Sequence, residues 1–485
     1  MKKIILFQST IGLLDNIKSA PGLPISLLTA AKLLRPEFEV ELIDQRLHRE
    51  DWKEKLREAI RDNVVFFGTT AMLGPQIKHS LEASQYLKSL DKELPVVWGG
   101  PFASVLSKQA LAEDSIDIIV AGDGEITTLE LARALRDGKN LEGIEGLIFK
   151  ENGEITRNNP RPLVDFNKMP DLPYDLIDVS KYLPKRGGVP TIDMETSRGC
   201  PYNCHFCYNP AFNLRRWRAY GADLILERIR SLKKKYGIKG VWFVDDEFFI
   251  DLPRARKIIE GLLRIGIRWE VQGARADSLL AMDDEFLKLL EKSKCSQINI
   301  GAESGSDRIL KMVEKKITTA QIIEVNRKLK PYNLAPWFYF MIGFPGETDK
   351  EQKMTIDLVT RLLRENPRAK ISGIGCFTPY PGTALFQEAL KLGYQPPKKL
   401  AGWINYAVDR INIPWLRGDK KRRVETIQFA SFFIDQKPEG VASAWWIKLA
   451  AKIYRPFAKF RFRWHFYDFP LDTLLGNLIK KKLSQ

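Results

Sequence analysis

The chain contains 485 residues, of which 44% are hydrophobic and 28% are charged, and this composition is typical of a globular protein. One hydrophobic core rarely serves so long a chain, so we expect two folded domains and an appendage. The sequence has no apolar run of about 20 residues and no signal-peptide pattern, so it predicts a cytoplasmic protein rather than a membrane-spanning or secreted one.

The net charge of +16 is concentrated near the C-terminus. Residues 401–485 contain sixteen Lys and Arg against seven Asp and Glu, which gives this segment a net charge of +9. Such an excess is compatible with nucleic acid, a membrane surface or an anionic substrate as a partner. More than half of the positive excess therefore lies in the last 85 residues.

Residues 1–145 alternate short apolar runs with amphipathic stretches. This pattern predicts an α/β domain with a Rossmann-like, doubly wound parallel sheet covered by helices on both faces. Three strand ends carry turns of small residues, GTTAMLG, GGPFAS and GDGE, at the edge where such a sheet binds ligands. No G-x-G-x-x-G follows the first strand and no Walker A loop is present, so the ordinary dinucleotide and P-loop interpretations lack support.

Residues 146–190 are rich in Pro and have the character of a linker. A second alternation of strands and helices occupies residues 191–400. Its six strands predict a partial (β/α)6 barrel of the TIM type, whose chemistry gathers at the carboxyl ends of the strands. The alternation is lost near residue 400, and residues 401–485 are predicted to form a basic, aromatic-rich and mainly helical C-terminal extension.

Three of the five cysteines lie within eight residues, in the stretch SRGCPYNCHFC. An odd number of cysteines grouped in this way favours a metal or redox role in a reducing compartment over a disulfide framework. A structural zinc site usually has four protein ligands, but no second Cys pair exists and His205 lies inside the loop. Three thiolates fit a cubane iron–sulfur cluster that leaves one iron open. The candidate ligands are Cys200, Cys204 and Cys207.

With these motifs the chain resembles the radical S-adenosylmethionine (SAM) enzymes, and more narrowly the class with an N-terminal cobalamin-binding domain. The resemblance covers roughly residues 1–385, and the CxxxCxxC loop directly after a strand is its most specific part. It implies a [4Fe–4S] cluster on the three cysteines, with the amino and carboxylate groups of SAM on the fourth iron. One-electron reduction would then release a 5′-deoxyadenosyl radical.

The resemblance also implies a SAM site at the ends of the later strands. The acidic loop VDDEFF lies where the family has the loop that meets the ammonium group of SAM. A cationic donor is stabilised by carboxylates there, and the sequence leaves open which of Asp245, Asp246 and Glu247 makes the contact. Arg275 in GARAD is a candidate for the SAM carboxylate, and an ion pair at the barrel rim is the alternative.

Two further segments belong to the implied SAM site. GAESGS lies at the position that the family uses for the ribose and methionine portions, and MIGFPGET resembles the strand that passes the adenine. An aromatic residue between two cluster ligands matches the one that packs near the adenine, although simple loop packing explains it equally well. The residues assigned in this way are Glu303, Ser304, Gly343, Phe344, Pro345 and Phe206.

The small-residue turns of the N-terminal domain resemble the cobalamin-binding segments of that class. The candidate cobalamin residues are Thr69, Thr70, Gly99, Gly100, Pro101, Ser104, Gly122, Asp123, Gly124 and Glu125. No D-x-H-x-x-G motif follows the first strand, so cobalamin is expected to bind without a protein histidine on cobalt. The alternative is a domain that keeps the fold and has lost the cofactor.

The combination of a radical generator and a methyl carrier implies methyl transfer from methylcobalamin to an unactivated carbon. The alternative within the same class is oxidative cyclisation or ring rearrangement, as in the anaerobic Mg-protoporphyrin ester cyclase. Methylthiolation is not expected, because no second cysteine triplet is present. We expect a small-molecule or lipid-like substrate and a reducing partner such as flavodoxin or ferredoxin. Cys295 and Cys376 are predicted to be core thiols.

The C-terminal stretch SAWWIKLAAKIYRPFAKFRFRWHFYDF mixes aromatic with basic residues. A helix packed on the barrel with a basic outer face explains this pattern. The same pattern also suits contact with a bilayer interface, or stacking with single-stranded nucleic acid in an RNA-binding or membrane-bound scaffold protein. We expect no nucleic acid partner, and we keep peripheral membrane contact open. The residues that carry the pattern are Trp445, Trp446, Ile447, Lys448, Leu449, Lys452, Ile453, Tyr454, Arg455, Phe457 and Lys459.

Overall fold

The computed structural model describes residues 1–12, 15, 20–61, 63–151, 153–406, 411–435 and 445–469. These residues form two compact units. The first unit is built mainly from residues 1–12, 21–182 and 396–406, and the second mainly from residues 183–395, 411–435 and 445–469.

The first unit is a sheet with helices between its parallel strands. Its strands are β1 (Lys3–Gln8), β2 (Glu39–Asp44), β3 (Val64–Thr70), β4 (Val96–Gly99), β5 (Ile118–Val120), β6 (Leu147–Glu151) and β7 (Glu154–Arg157). Its helices are α1 (Ile25–Leu34), α2 (Trp52–Ala59), α3 (Pro75–Leu90), α4 (Pro101–Val105), α5 (Ser107–Leu111) and α6 (Gly124–Asp137).

The strand order is β2-β1-β3-β4-β5-β6-β7, with β1 to β5 parallel and the last two strands antiparallel. All six residues of β1 are buried, because helices cover both faces of a parallel sheet. The order reverses between β1 and β3, and ligands of such sheets bind beside this switch point at the carboxyl edge. The predicted Rossmann-like domain is confirmed.

A buried ion pair connects the polypeptide after β7 to this sheet. Arg46 Nη2 lies 2.7 Å from Asp44 Oδ2, and both side chains are almost fully buried. The hydroxyl of Tyr182 donates to the same carboxylate oxygen at 3.0 Å. Burial opposes the charge of Arg46, but Asp44 outweighs it and raises the pKa of the guanidinium. The hydrogen bond from Tyr182 to this pair therefore holds the end of the connecting segment on the first unit.

Residues 396–406 also pack on the first unit. The Trp403 side chain is fully buried, its indole nitrogen donates to Gln109 Oε1 at 2.7 Å, and its ring meets Phe102 edge-on at 6.0 Å. The Gln109 amide donates in turn to the carbonyl of Pro397 at 3.0 Å. This segment therefore packs on helices of the first unit that lie nearly 300 residues earlier in the sequence.

The second unit begins with a short hairpin and continues as a parallel sheet. Its strands are β8 (Lys185–Arg186), β9 (Val189–Met194), β10 (Ser197–Arg198), β11 (Arg218–Ala219), β12 (Gly240–Phe243), β13 (Arg268–Ala274), β14 (Cys295–Glu303), β15 (Pro336–Ile342) and β16 (Lys370–Cys376). Its helices before the C-terminal region are α7 (Asn209–Phe212), α8 (Ala222–Tyr236), α9 (Leu252–Ile265), α10 (Ala276–Leu280), α11 (Asp284–Lys292), α12 (Asp307–Met312), α13 (Thr319–Leu329), α14 (Asp349–Glu365) and α15 (Ala384–Lys391).

The main sheet has the order β16-β15-β14-β13-β12-β9-β8. Its first six strands in this order are parallel, and β10 and β11 form a separate pair. Helices follow these strands in the sequence, and their ends carry the expected signals. For example, Thr348 and Glu351 form a reciprocal capping box at the start of α14. The predicted partial barrel is confirmed, and its functional edge is the carboxyl end of these strands.

The C-terminal region contains the helices α16 (Gly418–Ser431) and α17 (Trp445–Trp464). Ser431 Oγ accepts a hydrogen bond from the backbone N–H of Ile374 at 2.8 Å, so α16 covers the edge strand β16. His465 Nε2 lies 2.9 Å from Asp357 Oδ1 of α14. The expected helical character of this region is confirmed. No helix among the described residues is both long and apolar enough to cross a membrane.

Candidate active site

The cysteine loop follows β9 at the carboxyl edge of the second sheet. Cys204 is buried, Cys200 and Cys207 are half-buried, and all three are free thiols. Gly199, directly before the loop, has φ of 87°, and a Cβ there would lie 2.0 Å from the carbonyl oxygen of Arg216. Only glycine satisfies both conditions, so this position sets the entry of the chain into the loop.

Hydrogen bonds to two helices hold the cysteine loop. The backbone N–H of His205 donates to the carbonyl of Val313 at 3.0 Å, and His205 Nδ1 lies 3.1 Å from the carbonyl of Met312. The carbonyl of His205 accepts from the backbone N–H of Leu385 at 3.0 Å. These contacts direct the imidazole toward the end of α12. The candidate metal ligands of the loop are therefore its cysteine sulfur atoms.

Burial raises the pKa of Cys200 to about 12 and that of Cys207 to about 11. Neighbouring thiols and carboxylates add to this effect. Both residues are therefore neutral thiols at pH 7 until a metal ion binds and displaces their protons.

The three acids of the loop after β12 have different surroundings. Asp245 accepts from the backbone N–H of Thr196 at 2.7 Å, from the Thr196 hydroxyl at 2.5 Å and from the Ser197 hydroxyl at 2.6 Å. Asp246 accepts from the backbone N–H of Gly199 at 2.9 Å and from the Tyr208 hydroxyl at 3.1 Å. These two carboxylates thus hold both sides of the cysteine loop.

Glu247 is the third acid, and it is 2% exposed. Its carboxylate accepts one long hydrogen bond, of 3.4 Å, from the backbone N–H of Phe249. Burial raises the pKa of Glu247 to about 8, and the charges of Arg275 and Lys315 partly oppose this rise. A buried carboxylate with so little hydrogen bonding is suited to a cationic ligand.

Arg275 lies beside Cys204. Its Nε and Nη2 atoms donate to the Asp277 carboxylate at 2.9 and 3.1 Å, and Nη2 also donates to the carbonyl of Lys315 at 2.6 Å. The guanidinium carbon lies 3.6 Å from the centre of the Tyr202 ring, and Nη1 is 4.0 Å from Cys204 Sγ. Nη1 is the nitrogen of this side chain that lies nearest to Cys204.

Glu303 and Lys315 form an ion pair next to this arginine. Lys315 Nζ lies 2.7 Å from Glu303 Oε1, and both side chains are more than nine-tenths buried. Glu303 has φ of 64°, and the neighbours Glu314 and Lys316 also have positive φ values. Non-glycine residues adopt this region rarely and at an energetic cost, so the surrounding structure holds both sides of the pair in place.

The loops after β14 and β15 hold the other predicted SAM residues. The hydroxyl of Ser304 is fully buried and lies 3.3 Å from that of Thr355, so it organises the start of its loop. Phe344 is also fully buried, and its ring centre lies 6.3 Å from that of Phe206. Pro345 follows it and is buried as well.

Residues beyond β16 also reach the β15 loop. Gly343 has φ of 83°, and its carbonyl accepts a hydrogen bond of 3.0 Å from the indole of Trp415. A Cβ on Gly343 would lie 2.9 Å from Leu416 and 3.0 Å from the sulfur of Cys376. The segment before α16 therefore completes the packing around this glycine.

The predicted cobalamin residues lie at the carboxyl ends of three neighbouring strands of the first unit. Thr69 and Thr70 end β3, and their hydroxyls donate to the carbonyls of Phe7 and Gly99. The hydroxyl of Ser104 donates to the Gly100 carbonyl at 2.8 Å and accepts from the Gly122 N–H at 3.2 Å. Ser104 therefore connects the second turn to the third.

The same turns have small residues where space is needed. A Cβ on Gly100, which has φ of 96°, would lie 2.6 Å from the Thr70 hydroxyl, whereas a Cβ on Gly122 would meet nothing within 4 Å. Pro101 begins α4, and Gly124 and Glu125 begin α6. Asp123 accepts from the Val164 N–H at 3.1 Å. The open space above Gly122 is compatible with close approach of a large ligand.

Comparison with known proteins adds to this geometry. Residues 194–359 match the model of the radical SAM superfamily, and residues 19–132 match that of the B12 binding domain. The chain is 31% identical to an uncharacterized methyltransferase of Pyrococcus horikoshii over 80% of its own length and 83% of that protein. The chain belongs to the B12-binding radical SAM proteins.

Two further proteins extend this comparison. The methyltransferase TsrM of Kitasatospora setae, solved with cobalamin and a [4Fe–4S] cluster, has a TM-score of 0.67 at 21% identity, over 81% of this chain and 76% of that one. This likeness shows a shared fold. The anaerobic Mg-protoporphyrin IX monomethyl ester cyclase of Cereibacter sphaeroides is 25% identical over 69% of this chain, but the chain spans only 55% of that enzyme.

The donor chemistry of this B12-binding radical SAM protein suits the expected cofactors. The soft thiols of the cysteine loop suit iron–sulfur chemistry. Among the described residues, no three His, Cys, Asp or Glu side chains are grouped as ligands of a single metal ion. The buried carboxylate of Glu247 is suited to a cationic group. A Cβ on Gly122 would meet nothing within 4 Å, so a ligand can approach the backbone of this turn closely.

Sequence reasoning missed several residues of this site. Tyr202 and Tyr208 stand within or beside the quoted cysteine motif, so their position in the stretch CPYNCHFCY could have indicated a role. Lys315 sits in the charged run VEKKITT and gives no such signal, because its partner is twelve residues away. Trp415 lies in the segment predicted to be an appendage, and only its contact with Gly343 connects it to the site.

Two glutamates that follow β15 have pKa values shifted in opposite directions. Burial raises the pKa of Glu347 to about 7, against hydrogen bonds from the backbone N–H groups of Gly343 and Phe344. Two hydrogen bonds of 2.6 Å from Arg308 lower the pKa of Glu351 to about 2. The ordinary value for both groups is 4.5.

The two shifts predict different pH windows for stability. The folded chain binds the Glu347 proton more tightly than the unfolded chain, so the Glu347 contribution is present below pH 4.5 and is lost as the pH rises to about 7. The Glu351 contribution is present above pH 4.5 and is lost as the pH falls to about 2. We expect Glu347→Gln to remove the pH dependence of the denaturation midpoint between pH 4.5 and about 7 only. Glu351→Gln is the matched control and should flatten the lower window, so an identical pH profile for both variants contradicts the assignment.

Proposed function

We propose that this protein is a cobalamin-dependent radical SAM methyltransferase that acts on an unactivated carbon. The observation that carries the proposal is a loop of three thiols beside a buried carboxylate, Glu247, which has little hydrogen bonding of its own. When bound, the iron–sulfur cluster supplies the electron that cleaves SAM, and cobalamin supplies the methyl group.

Each residue of the site has a separate task in this proposal. Cys200, Cys204 and Cys207 hold the cluster. Glu247 binds the ammonium of SAM, because Asp245 and Asp246 already accept hydrogen bonds from the loop. Arg275 turns Nη1 toward Cys204 and could meet the SAM carboxylate through that atom alone.

The remaining SAM residues act through shape and charge. The Glu303–Lys315 pair places a balanced charge near the methionine part of SAM, and Ser304 shapes the same loop. Phe206 and the Gly343–Pro345 turn form an apolar edge suited to the adenine.

On the first unit, we propose that cobalamin binds over the turns that follow β3, β4 and β5. These turns contain Thr69, Thr70, Gly99, Gly100, Pro101, Ser104, Gly122, Asp123, Gly124 and Glu125. The candidate histidines of this unit have other neighbours, since His48 lies 3.3 Å from Asp51 and His79 lies 3.4 Å from Glu82. We therefore propose that cobalt takes no histidine ligand from this domain.

One face of the second sheet carries polar side chains, of which Glu270 and Asn299 are buried and Tyr339 is exposed. Parallel pairing aligns Trp242 with Glu270, and the Asn299 amide donates to the Tyr339 hydroxyl at 3.0 Å. Tyr339 is exposed although it lies in the middle of β15, whereas Trp269 on the other face of the sheet is fully buried. These residues support a substrate that has a polar group. The substrate is either a small molecule or a lipid-like compound.

The other expected partners are also part of this proposal. An electron must reach the cluster from outside the chain, and flavodoxin or ferredoxin has the required chemistry. Contact of the C-terminal extension with a membrane surface would bring a lipid-like substrate to the enzyme.

Anaerobic incubation with CD3-labelled SAM, cobalamin and candidate metabolites or lipids tests the function. We expect mass spectrometry to find the label in a product, together with 5′-deoxyadenosine. Production of 5′-deoxyadenosine without label transfer would favour the cyclisation or rearrangement alternative, which the likeness to the Mg-protoporphyrin ester cyclase supports. If the reconstituted chain binds no iron and cleaves no SAM, the enzyme proposal fails and a scaffold function takes its place.

A further inference from the structure

The outer face of α17 carries an unusual number of exposed apolar side chains. Among the described residues, eighteen large apolar side chains are exposed, and seven of them lie between residues 449 and 469. They are Leu449, Ile453, Phe457, Phe460, Trp464, Phe466 and Phe469. We call these seven residues the α17 stripe. Exposed apolar residues scattered singly need no explanation, but a contiguous row of this kind marks an interaction surface.

The other side of α17 is packed on the second unit. Ala458 and Phe462 are buried, and the ring of Tyr454 lies 5.4 Å from that of Phe429 of α16. Positions three or four residues apart lie on the same face of a helix, so the stripe residues of α17 share the opposite face. The orientation of the helix is therefore set by its own core contacts. The side chains of Trp445, Trp446, Ile447 and Lys448 lie outside the described residues.

Three aromatic rings of the stripe pack against one another. The ring of Phe457 lies 6.2 Å from that of Phe460 with an interplanar angle of 12°, and Phe460 lies 6.1 Å from Phe466. Arg461, which is buried, donates to the carbonyl of Phe466 at 2.6 Å. This bond holds the turn that follows α17, so Phe466 extends the row beyond the helix.

The charged residues around the stripe indicate which kind of partner can bind it. Lys452, Lys459 and Arg463 are exposed beside it. Residues 449–469 contain one acidic residue, Asp468, whose carboxylate lies 3.2 Å from the Arg423 guanidinium. A second copy of this chain would bring an equally basic surface to the stripe. The C-terminal residues 470–485, which lie outside the described residues, carry Lys480, Lys481 and Lys482 and would also be repelled. An anionic partner with an apolar layer satisfies both the charge and the exposed rings.

We propose that the α17 stripe binds the surface of an anionic membrane. The stripe enters the boundary between headgroups and acyl chains, to a depth of about 5–10 Å, while Lys452, Lys459 and Arg463 meet the lipid phosphates. A tryptophan such as Trp464, which is 63% exposed, is suited to this boundary because its ring is apolar and its N–H is polar. This inference deepens the membrane contact named in the proposed function, on which it rests, and it requires none of the cofactors of the proposed reaction.

Sedimentation of the full chain with lipid vesicles tests the inference. We expect binding to phosphatidylcholine vesicles that contain phosphatidylglycerol, and binding at least about tenfold weaker to phosphatidylcholine alone or at high salt. The double variant Ile453→Glu with Trp464→Glu should reduce binding at least about tenfold, because it places two carboxylates against the anionic surface. Leu263→Glu, a change at another exposed apolar residue on α9, is the matched control and should bind as the unchanged chain does.

Three results would overturn the proposal. One is the absence of the unchanged chain from the pellet with anionic vesicles. Another is equal binding by the double variant, provided its circular dichroism shows a folded chain. The third is a dimer, or a complex with single-stranded RNA, that the double variant loses while vesicle binding is absent. Because the assay measures no catalysis, failure here leaves the proposed methyl transfer standing, and failure of label transfer leaves membrane binding standing.

Discussion

Replacing Cys204 with alanine is expected to abolish both iron–sulfur binding and SAM cleavage. The other two cysteines cannot hold a cubane with three occupied corners, and Cys204 is also the ligand candidate that Arg275 Nη1 faces at 4.0 Å. Anaerobic reconstitution should load the unchanged chain with about four iron and four sulfide and give broad absorbance at about 400 nm. The variant should show neither, and it should form no 5′-deoxyadenosine from SAM.

Cys295→Ala is the matched control for this loss. Cys295 is a buried thiol at the start of β14, away from the loop of three cysteines, so its removal should leave the iron content and SAM cleavage intact. Undiminished SAM cleavage by Cys204→Ala would contradict the cluster assignment. Equal loss of iron in both variants would show that the effect comes from general damage to the fold.

The replacement Lys315→Met is expected to destabilise the second unit by about 3–5 kcal/mol, because it leaves the Glu303 carboxylate buried without its cation. The pair is 2.7 Å long and both side chains are more than nine-tenths buried, so water cannot take the place of the lost ammonium. Denaturant unfolding followed by tryptophan fluorescence measures the change, since Trp269 lies in the core of this unit.

Two further variants separate the ion pair from other effects of this change. The double variant Lys315→Met with Glu303→Gln removes both charges, so it should recover about 2 kcal/mol or more of the loss. Lys316→Met changes an exposed neighbour of the same type and should alter stability by less than about 0.5 kcal/mol. A double variant that is no more stable than Lys315→Met would show that the buried charge is not the cause.

Much of the fold was predictable because its signals are local. Parallel strands that helices cover on both faces must be apolar along their length, and the run KIILFQ of β1 shows this directly. The two alternations of strand and helix therefore predicted both sheets. The return of residues 396–406 to the first unit was not predictable, since the burial of Trp403 depends on a glutamine nearly 300 residues earlier.

The acidic loop after β12 illustrates the limit for the site. The sequence indicates three carboxylates near SAM and offers no means of ranking them, because their chemistry is the same. Their hydrogen-bond partners differ. Asp245 accepts from Thr196 and Ser197, whereas Glu247, within the described part of the chain, accepts from the backbone of Phe249 only. Only the packing of the cysteine loop against this edge separates a structural carboxylate from one suited to a cation.

By itself, the sequence determined the fold class and the three candidate cluster ligands, because these depend on periodicity and on spacing within a single loop. Its motifs also carried the resemblance to the family. The tertiary structure alone decided which charges meet. It paired Lys315 with Glu303, set Trp415 against Gly343 and turned the α17 stripe outward. The physical reason is that desolvation and electrostatic attraction depend on distance in space, and residues far apart in the chain come close only when the core has formed.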